Sequence, residues 1–123
     1  MLESFEDLDC YKACKLVRIE ASRFAKTLPA DERYRMVDQM IRASRSTTAN
    51  IAEGFGRHHH QENLQYLRQS RGSLYEMLEH YNTCLDEQFI CDEQYKARRE
   101  EIETATRILN GFIRYIQSCT KKK

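Results

Sequence analysis

Proline, glycine and tryptophan are scarce in this chain of 123 residues, which contains one Pro, four Gly and no Trp. Proteins built from β-strands need more turn residues than this, so the composition predicts an all-α fold. The sequence also lacks any run of the roughly 18 to 20 apolar residues that a membrane-spanning helix requires. Its acidic start, residues 1–9, has neither the basic nor the apolar region of a signal peptide. We therefore expect a cytoplasmic protein that makes no membrane contact.

Closely spaced cysteine pairs of the CxxC type are missing, although the chain has five cysteines. They lie at scattered positions: Cys10, Cys14, Cys84, Cys91 and Cys119. An odd number without close pairs argues against a disulfide framework and against a zinc ribbon, so we predict reduced thiols. No dinucleotide or phosphate loop, no nucleophile with its base and no carboxylate cluster is recognisable. The sequence thus predicts a protein that is not an enzyme and uses no cofactor and no small-molecule substrate.

A large excess of one charge sign is missing too, because 20 Lys and Arg face 19 Asp and Glu for a net charge of +1. The charges are distributed unevenly along the chain. Residues 33–71 have seven basic and three acidic side chains, whereas residues 1–32 have five and seven and residues 72–123 have eight and nine. Nucleic-acid binders usually have a clear positive excess, since they neutralise phosphates. This chain has such an excess only in its middle.

Apolar side chains recur throughout the chain at the three- and four-residue steps of amphipathic helices. The pattern predicts a first helix that is capped by Asp7 or Asp9, and a second helix that is capped by Asp31 and ended by Gly54 and Gly56. The expected inner face of the second helix comprises Tyr34, Val37, Met40 or Ile41, Ser44, Thr48, Ile51 and Phe55.

Two further helices follow the polar bend at residues 57–60. The third has its apolar positions between Leu64 and Leu85, and Asp92 is placed to cap the fourth. Four helices of about 18 to 28 residues joined by short links must run alternately up and down, because such links connect neighbouring ends. The sequence therefore predicts an all-α, antiparallel up-down-up-down four-helix bundle that forms a single domain over residues 1–123.

The most specific stretch of the chain, RASRSTTANIAEGFGR, runs from Arg42 to Arg57. On a helical wheel its apolar residues share one face, whereas its polar residues lie well round from them. A surface helix with no second contact usually has long charged side chains on its outer side. Here Ser46, Asn50 and Gly54 are short enough for another backbone to approach. We therefore expect a second copy of the chain to cover the side from Asn50 to Gly54.

Several polar side chains of this helix and the next could form a network. A buried carboxylate needs a cation or hydrogen-bond donors, and Arg57, four residues after Glu53, is suitably spaced. Because polar networks more often specify packing than chemistry, we assign this one to structure or to contacts between subunits rather than to direct function. The candidate residues are Arg42, Ser46, Asn50, Glu53, Gly54, Arg57, Ser73 and Glu76.

The local basic excess indicates a possible nucleic-acid surface on adjacent helices. Its candidate residues are Arg42, Arg45, Arg57, Arg68 and Arg71, to which residues 121–123 add a lysine tail. The competing interpretation is ordinary surface charge that is paired with Asp38, Glu62 or Glu76. That interpretation is slightly favoured for a chain so close to neutral.

Three consecutive histidines, His58 to His60, suggest a metal site, since neutral imidazole is a common ligand. Consecutive residues in a bend between helices point in different directions, and no acidic or cysteine partner at helical spacing completes a tetrahedral site. We therefore predict a polar turn and no metal. A metal-dependent enzyme is the least favoured of the functional alternatives.

Three segments of the chain resemble one family. They are FEDLDCYKA at residues 5–13, NIAEGFGR at residues 50–57 and GSLYEM at residues 72–77. In these segments the chain resembles the bacterial four-helix-bundle proteins called 23S rRNA-intervening sequence proteins. The resemblance implies a homopentamer. It also implies a relation to the accessory protein of diversity-generating retroelements, a basic pentameric barrel that engages a reverse transcriptase and nucleic acid.

The chain departs from these proteins in two respects. It is much less basic than the retroelement protein, and Thr48 stands where many family members are expected to have a proline, so that the second helix should differ locally there. From residues and resemblance together we expect a ring-forming scaffold, without enzymatic activity, that binds RNA or a nucleic-acid-associated protein. The alternative is an adaptor that binds only proteins.

Overall fold

A computed structural model describes residues 3–121 of the chain. Its helices are α1 (Asp9–Ala25), α2 (Met36–Gly56), α3 (His60–Asp86) and α4 (Asp92–Lys121), with short 3-10 turns at Phe5–Asp7 and Ala30–Glu32. This range contains no β-strand, and the prediction of an all-α fold is confirmed. None of the helices within it combines the length and the apolarity that crossing a lipid bilayer requires.

The four helices form the predicted antiparallel bundle. Each helix packs against the next in sequence, and α1 also packs against α4. The links at residues 57–59 and 87–91 are too short to span the length of a helix, so α2, α3 and α4 alternate in direction. Phe5, just before α1, packs edge to face on Phe55 near the end of α2, so α1 and α2 are antiparallel too. The contacts between α2 and α3 agree with this, because Ser46 meets Ser73 while the later Gly54 lies against the earlier Asn63.

One core lies between the helices. Its largest fully buried side chains include Tyr81, Met40, Ile51, Leu67, Leu74, Met77, Leu109 and Val17. These positions follow the three- and four-residue steps that the sequence shows, because each helix turns one stripe of apolar side chains inward. On α4 the stripe includes Leu109, Ile113 and Ile116, whereas Phe112 is half-buried beside it.

The predicted cap of α1 is wrong. Asp7 accepts hydrogen bonds from the backbone N–H groups of Glu3 and Ser4, both at 3.2 Å, and Ser4 Oγ accepts one from the N–H of Glu6. These contacts form a capping box at the 3-10 turn that precedes α1. Asp9 lies within the first turn of α1, where its charge faces the positive end of the helix dipole.

The predicted start of α2 is also wrong. Asp31 lies inside the 3-10 turn, and α2 begins only at Met36, where the backbone N–H approaches Glu32 Oε1 at 3.4 Å. Tyr34 therefore precedes the helix instead of joining its inner face. Its side chain is 82% exposed, and the guanidinium of Arg33 lies 5.4 Å from the centre of its ring.

Residues other than glycine form the bends that end α2 and α3. As predicted, α2 ends at Gly56, but the left-handed conformation beyond it belongs to His58, with φ of 53°. Gln88 has φ of 64° in the same position after α3. Such a backbone conformation costs an ordinary residue about 1 kcal/mol or more relative to glycine. Gly54 is not part of this bend, because it lies inside α2 and is buried.

Ion pairs join α1 to α4 near the start of α4. Arg98 on α4 binds Glu20 on α1 and also Glu101, whose Oε1 is 3.0 Å from Arg98 Nε. All three side chains are mostly buried. Partial burial raises the pKa of the Glu101 carboxyl above its ordinary value, and the positive charge of Arg98 opposes this shift.

Candidate nucleic-acid interface

The contact between α2 and α3, which we call the α2–α3 seam, explains the short side chains of α2. Gly54 is buried there. A Cβ atom added at this glycine would lie 2.6 Å from Asn63 Oδ1 and 2.9 Å from Tyr66 Cβ, both on α3. The close approach that the sequence indicated at Gly54 is thus made by α3 of the same chain.

Small hydroxyl and amide side chains join the two helices further along the seam. Asn50 donates to the backbone carbonyl of Ser46 at 2.9 Å and to Ser46 Oγ at 2.8 Å. Ser73 on α3 donates to the same Ser46 Oγ at 2.8 Å. Three of the predicted network residues therefore do meet. Their hydrogen bonds are made within one chain and tie α2 to α3.

A second set of contacts lies deeper in the seam. Ser70 donates to the backbone carbonyl of Thr47 at 2.7 Å, and both side chains are fully buried. Their hydroxyls also face Cys14 of α1. Burial raises the pKa of the Cys14 thiol to about 11, although hydrogen bonds from Ser70 and Thr47 oppose the shift. Sequence analysis identified neither Ser70 nor Thr47 as part of the network.

The remaining candidates of the polar network lie in separate places. Glu53 accepts a hydrogen bond from Arg57 Nε at 3.1 Å, as the four-residue spacing predicts, and both side chains are about half exposed. Arg57 also donates to Tyr66 at 2.8 Å. Glu76 pairs with His80 on its own helix at 3.1 Å. No contact joins Glu76 to the α2 residues in the described part of the chain.

The five predicted nucleic-acid arginines are likewise divided. Arg42 pairs with Asp38 at 3.2 Å, and Arg57 has both Glu53 and Glu62 within 4 Å. Their charges are thus compensated, as the competing interpretation predicts. Arg45 is exposed and lines a cleft with Arg18 of α1. Arg18 itself donates to Thr48 at 2.8 Å, and α2 continues without interruption through Thr48.

Arg68 and Arg71 stand one turn apart on α3, and Arg71 reaches across to α4. Its Nη1 donates to Asn110 Oδ1 at 2.8 Å. Asn110 lies in a surface cleft of about 430 Å³ between the two helices, which we call the α3–α4 groove. Its lining includes Tyr75, Leu78, Arg99, Ile102, Glu103, Thr106, Arg107, Asn110 and Arg114.

Positive charge dominates the α3–α4 groove. Arg99 pairs with Glu103, whose carboxylate is 3.3 Å from Arg99 Nε. Arg71, Arg107 and Arg114 have no carboxylate within 4 Å among residues 3–121. Arg71 is held by a neutral amide instead, so that its charge stays uncompensated. A cluster of arginines without internal carboxylate partners is the arrangement that binds phosphate groups.

A family model matches this architecture. The model of the 23S rRNA-intervening sequence protein family matches residues 6–111, which include α1, α2, α3 and most of α4. The chain belongs to the 23S rRNA-intervening sequence protein family. A comparison with individual curated proteins gives no match.

In this family member, the groove depends on residues that sequence analysis did not select. Tyr75, Arg107 and Arg114 were missed because they do not form a motif with Arg68 and Arg71. A weak signal exists: Arg107 and Arg114 are seven residues apart, two turns on one side of α4, and Tyr75 follows Arg71 by one turn. Only the pairing of α3 with α4 makes them neighbours.

The histidines of the α2–α3 link lie at the surface of this family member. His58 and His59 are exposed, and His60 begins α3. They line an apolar crevice of about 320 Å³ together with Tyr115. Within residues 3–121, no three His, Cys, Asp or Glu side chains come together in a way that could hold a metal ion. The five cysteines are free thiols, and Cys91 is exposed.

The lysine tail that sequence analysis added to the basic surface lies mostly outside the described residues. The backbone of α4 is described to Lys121, and residues 122 and 123 are not described.

Proposed function

We propose that this family member is a non-enzymatic scaffold that binds RNA in the α3–α4 groove and assembles with copies of itself. The observation that carries the RNA-binding part is a set of three arginines: Arg107 and Arg114 line the groove, and Arg71 lies beside it and donates to Asn110 of its lining. None of the three has a carboxylate partner in the described part of the chain. Free thiols, which are typical of a reducing compartment, support a cytoplasmic location.

The local charge explains how a nearly neutral chain can bind a polyanion. Affinity for nucleic acid comes largely from counterions that are released when Lys and Arg neutralise phosphates. An arginine that already pairs with a carboxylate of its own chain, such as Arg42 or Arg57, gains less from a phosphate. Of the arginines that line the groove, Arg99 pairs with Glu103, whereas Arg107 and Arg114 have no such competitor among residues 3–121. Net charge therefore underestimates the capacity of this surface.

RNA binding is tested by the salt dependence of affinity. We expect the double variant R107Q/R114Q to weaken the binding of a fluorescent single-stranded RNA by about tenfold or more. The slope of log affinity against log salt should fall by about 1.4, because each phosphate contact to a single strand contributes about 0.7. Fluorescence anisotropy at several salt concentrations measures both quantities.

The matched control is R23Q/R35Q, which removes the same charge from two exposed arginines that pair with Glu20 and Glu32. We expect it to leave the slope nearly unchanged. An equal loss in both double variants would mean that only net charge matters and would contradict the groove as the site. If the unaltered protein does not bind RNA at moderate salt, RNA binding itself is wrong.

The outer side of α2 supports the proposal of self-assembly. Ala49 is exposed and Ala52 is half-buried there. Alanine side chains are short and uncharged, so they do not keep a second surface away. The resemblance noted in the sequence implies a homopentamer, and we propose that α2 contributes this side to the contact between copies. Small side chains permit close packing of backbones across such a contact.

Light scattering of the purified protein measures the number of copies directly. We expect a pentamer, and we expect Ala49→Glu to reduce its size, because a long charged side chain there would hold the second copy away and its burial in the contact would cost hydration free energy. Ala97→Glu is the control, since Ala97 is exposed on α4, away from α2. A monomer at all concentrations, or a pentamer that tolerates Ala49→Glu and not Ala97→Glu, would refute the proposed contact.

A further inference from the structure

An exposed tyrosine lies beside the uncompensated arginines of the α3–α4 groove. The side chain of Tyr75 is 58% exposed and lines the groove together with Arg107 and Arg114. It makes no hydrogen bond with any of residues 3–121. A large ring that is neither buried nor held by a hydrogen bond has no evident role in the stability of the bundle. Its faces remain available to a ligand.

The charge of the groove is polarised along its length. At one end the charge of Arg99 is compensated by Glu103, and its guanidinium also donates a hydrogen bond to the hydroxyl of Tyr95 at 2.8 Å. Towards the other end Arg107 and Arg114 follow on α4, two helical turns or about 10 Å apart. Arg71 joins them from α3 through Asn110. The basic part of the groove thus begins beside Tyr75 and continues away from Glu103.

We infer that the α3–α4 groove takes single-stranded nucleic acid, with a base stacked on Tyr75 and the adjoining phosphates bound by Arg107 and Arg114. The inference rests on the proposed function and specifies its ligand. Aromatic side chains that stack bases, set in a positively charged groove that follows the backbone, are what proteins use to bind single strands. Arg71 contributes a third positive charge next to the ring.

The arrangement discriminates against a duplex. In a paired helix the faces of the bases are covered by their neighbours, so an exposed tyrosine at the side of a groove cannot stack on them. A single strand can turn a base towards the ring while its phosphates follow the arginines. A peptide of acidic residues could satisfy the arginines, but it has no planar ring to stack on Tyr75. The two features together therefore select an unpaired strand.

The test compares strands and tyrosine variants by fluorescence anisotropy. We expect a short oligouridine to bind more tightly than an RNA duplex of equal length. Tyr75→Ala should weaken oligouridine binding about 5- to 100-fold, the range for loss of one stacked base, whereas Tyr75→Phe should retain most of it because the ring remains. Binding of the duplex should not depend on residue 75.

The matched control is Tyr34→Ala, which removes another highly exposed tyrosine that also lies beside an arginine, Arg33. We expect no more than about a twofold change in affinity, a free-energy difference of roughly 0.4 kcal/mol. Circular dichroism of each variant checks that the helices remain, as expected for substitutions at exposed side chains.

The outcomes separate this inference from the function on which it rests. If R107Q/R114Q weakens RNA binding while Tyr75→Ala does not, or if the duplex binds as tightly as oligouridine, the single-strand inference is overturned and the groove still binds RNA. If oligouridine does not bind the unaltered protein at all, both fail. Equal displacement of oligouridine by polyglutamate of matched charge would also overturn the inference, because charge alone would then explain binding.

Discussion

The two sides of α3 differ in how they meet their neighbours. At the α2–α3 seam short side chains bring the backbones together, and a Cβ at Gly54 would collide with α3. At the α3–α4 groove long side chains line an open surface cleft of about 430 Å³. At the seam serine hydroxyls of α3 donate to Ser46 Oγ and to the backbone carbonyl of Thr47. The groove presents Arg107 and Arg114, which have no carboxylate partner among residues 3–121.

This difference assigns the most distinctive sequence motif to the packing of two helices, away from the groove for which we propose a ligand. The motif NIAEG at residues 50–54 lies at the seam, where Asn50 and Gly54 contribute to the packing of α2 on α3. The groove is assembled from ordinary-looking positions on two helices. A specific motif can thus report a close contact between the backbones of α2 and α3, while the ligand site that we propose lies between α3 and α4.

Titration of Cys14 tests how tightly the seam is closed and has the largest expected effect. Burial raises the pKa of this thiol to about 11 from an ordinary value of 9.0. The unfolded chain loses the proton first, so the free energy of unfolding should fall between pH 9 and pH 11, by up to about 2–3 kcal/mol. Urea denaturation across this range should show a smaller fall for Cys14→Ala than for the unaltered protein.

The control for that experiment is Cys91→Ala, which removes an exposed cysteine from the link between α3 and α4. Its fall with pH should equal that of the unaltered protein. Cys10 adds a similar contribution, because burial raises the pKa of its thiol to about 12 and a charge on Cys14 raises it further. This contribution remains in Cys91→Ala and becomes smaller in Cys14→Ala, which adds to the expected difference between the two variants. If Cys14→Ala keeps the full pH dependence, the seam is more open to water than its geometry indicates.

Substitution of glycines separates close approach from helix propensity. Gly54→Ala should destabilise the protein relative to Gly72→Ala by about 1–3 kcal/mol, because only the first places a Cβ against Asn63 and Tyr66. Gly72 has nothing within 4 Å of such an atom, and its replacement should stabilise α3 by about 0.5–1 kcal/mol. Chemical denaturation measures both. Equal effects at the two positions would contradict the tight seam.

The hydroxyls of the seam should differ according to their burial. Ser70→Ala removes a fully buried hydrogen bond to the carbonyl of Thr47 and should cost about 1 kcal/mol in the free energy of unfolding. Ser73→Ala removes a half-exposed bond to Ser46, where water can replace the lost partner, and should cost less than about 0.5 kcal/mol. Thermal or urea denaturation of both variants measures these two losses. A larger loss for Ser73→Ala than for Ser70→Ala would contradict the prediction.

The groove should contribute least to stability. The double variant R107Q/R114Q should change the free energy of unfolding by less than about 0.5 kcal/mol, since neither side chain has an ion-pair partner within residues 3–121. The same variant should weaken RNA binding. A large loss of stability would mean that these arginines serve the fold, and would remove the contrast between seam and groove.

The sequence predicted the number and order of the helices but not their caps. Periodic apolar residues report a helix directly, whereas a cap depends on where the chain bends in space. Asp7 therefore caps a 3-10 turn and not α1, and Asp31 lies before α2 instead of capping it. Tyr34 was misplaced for the same reason, because the start of α2 was set too early in the chain.

The candidate site was predicted less well. Arg68 and Arg71 were selected as basic residues on adjacent helices, yet Arg42 and Arg57 turn out to be paired with carboxylates. Which arginine is compensated depends on the direction of each side chain and on its nearest acidic neighbour. Residue type and spacing restrict those choices, but they do not decide them.

The spacing of apolar residues and the shortness of the links determined an all-α antiparallel bundle, because both act between residues close together in the chain. Tertiary structure decided the rest. Arg71 meets Asn110, 39 residues away, only because α3 and α4 pack side by side in opposite directions. That packing turns separate positions on two helices into one groove, because a local pattern indicates which face of a helix is polar but not which polar side chains of another helix will lie beside it.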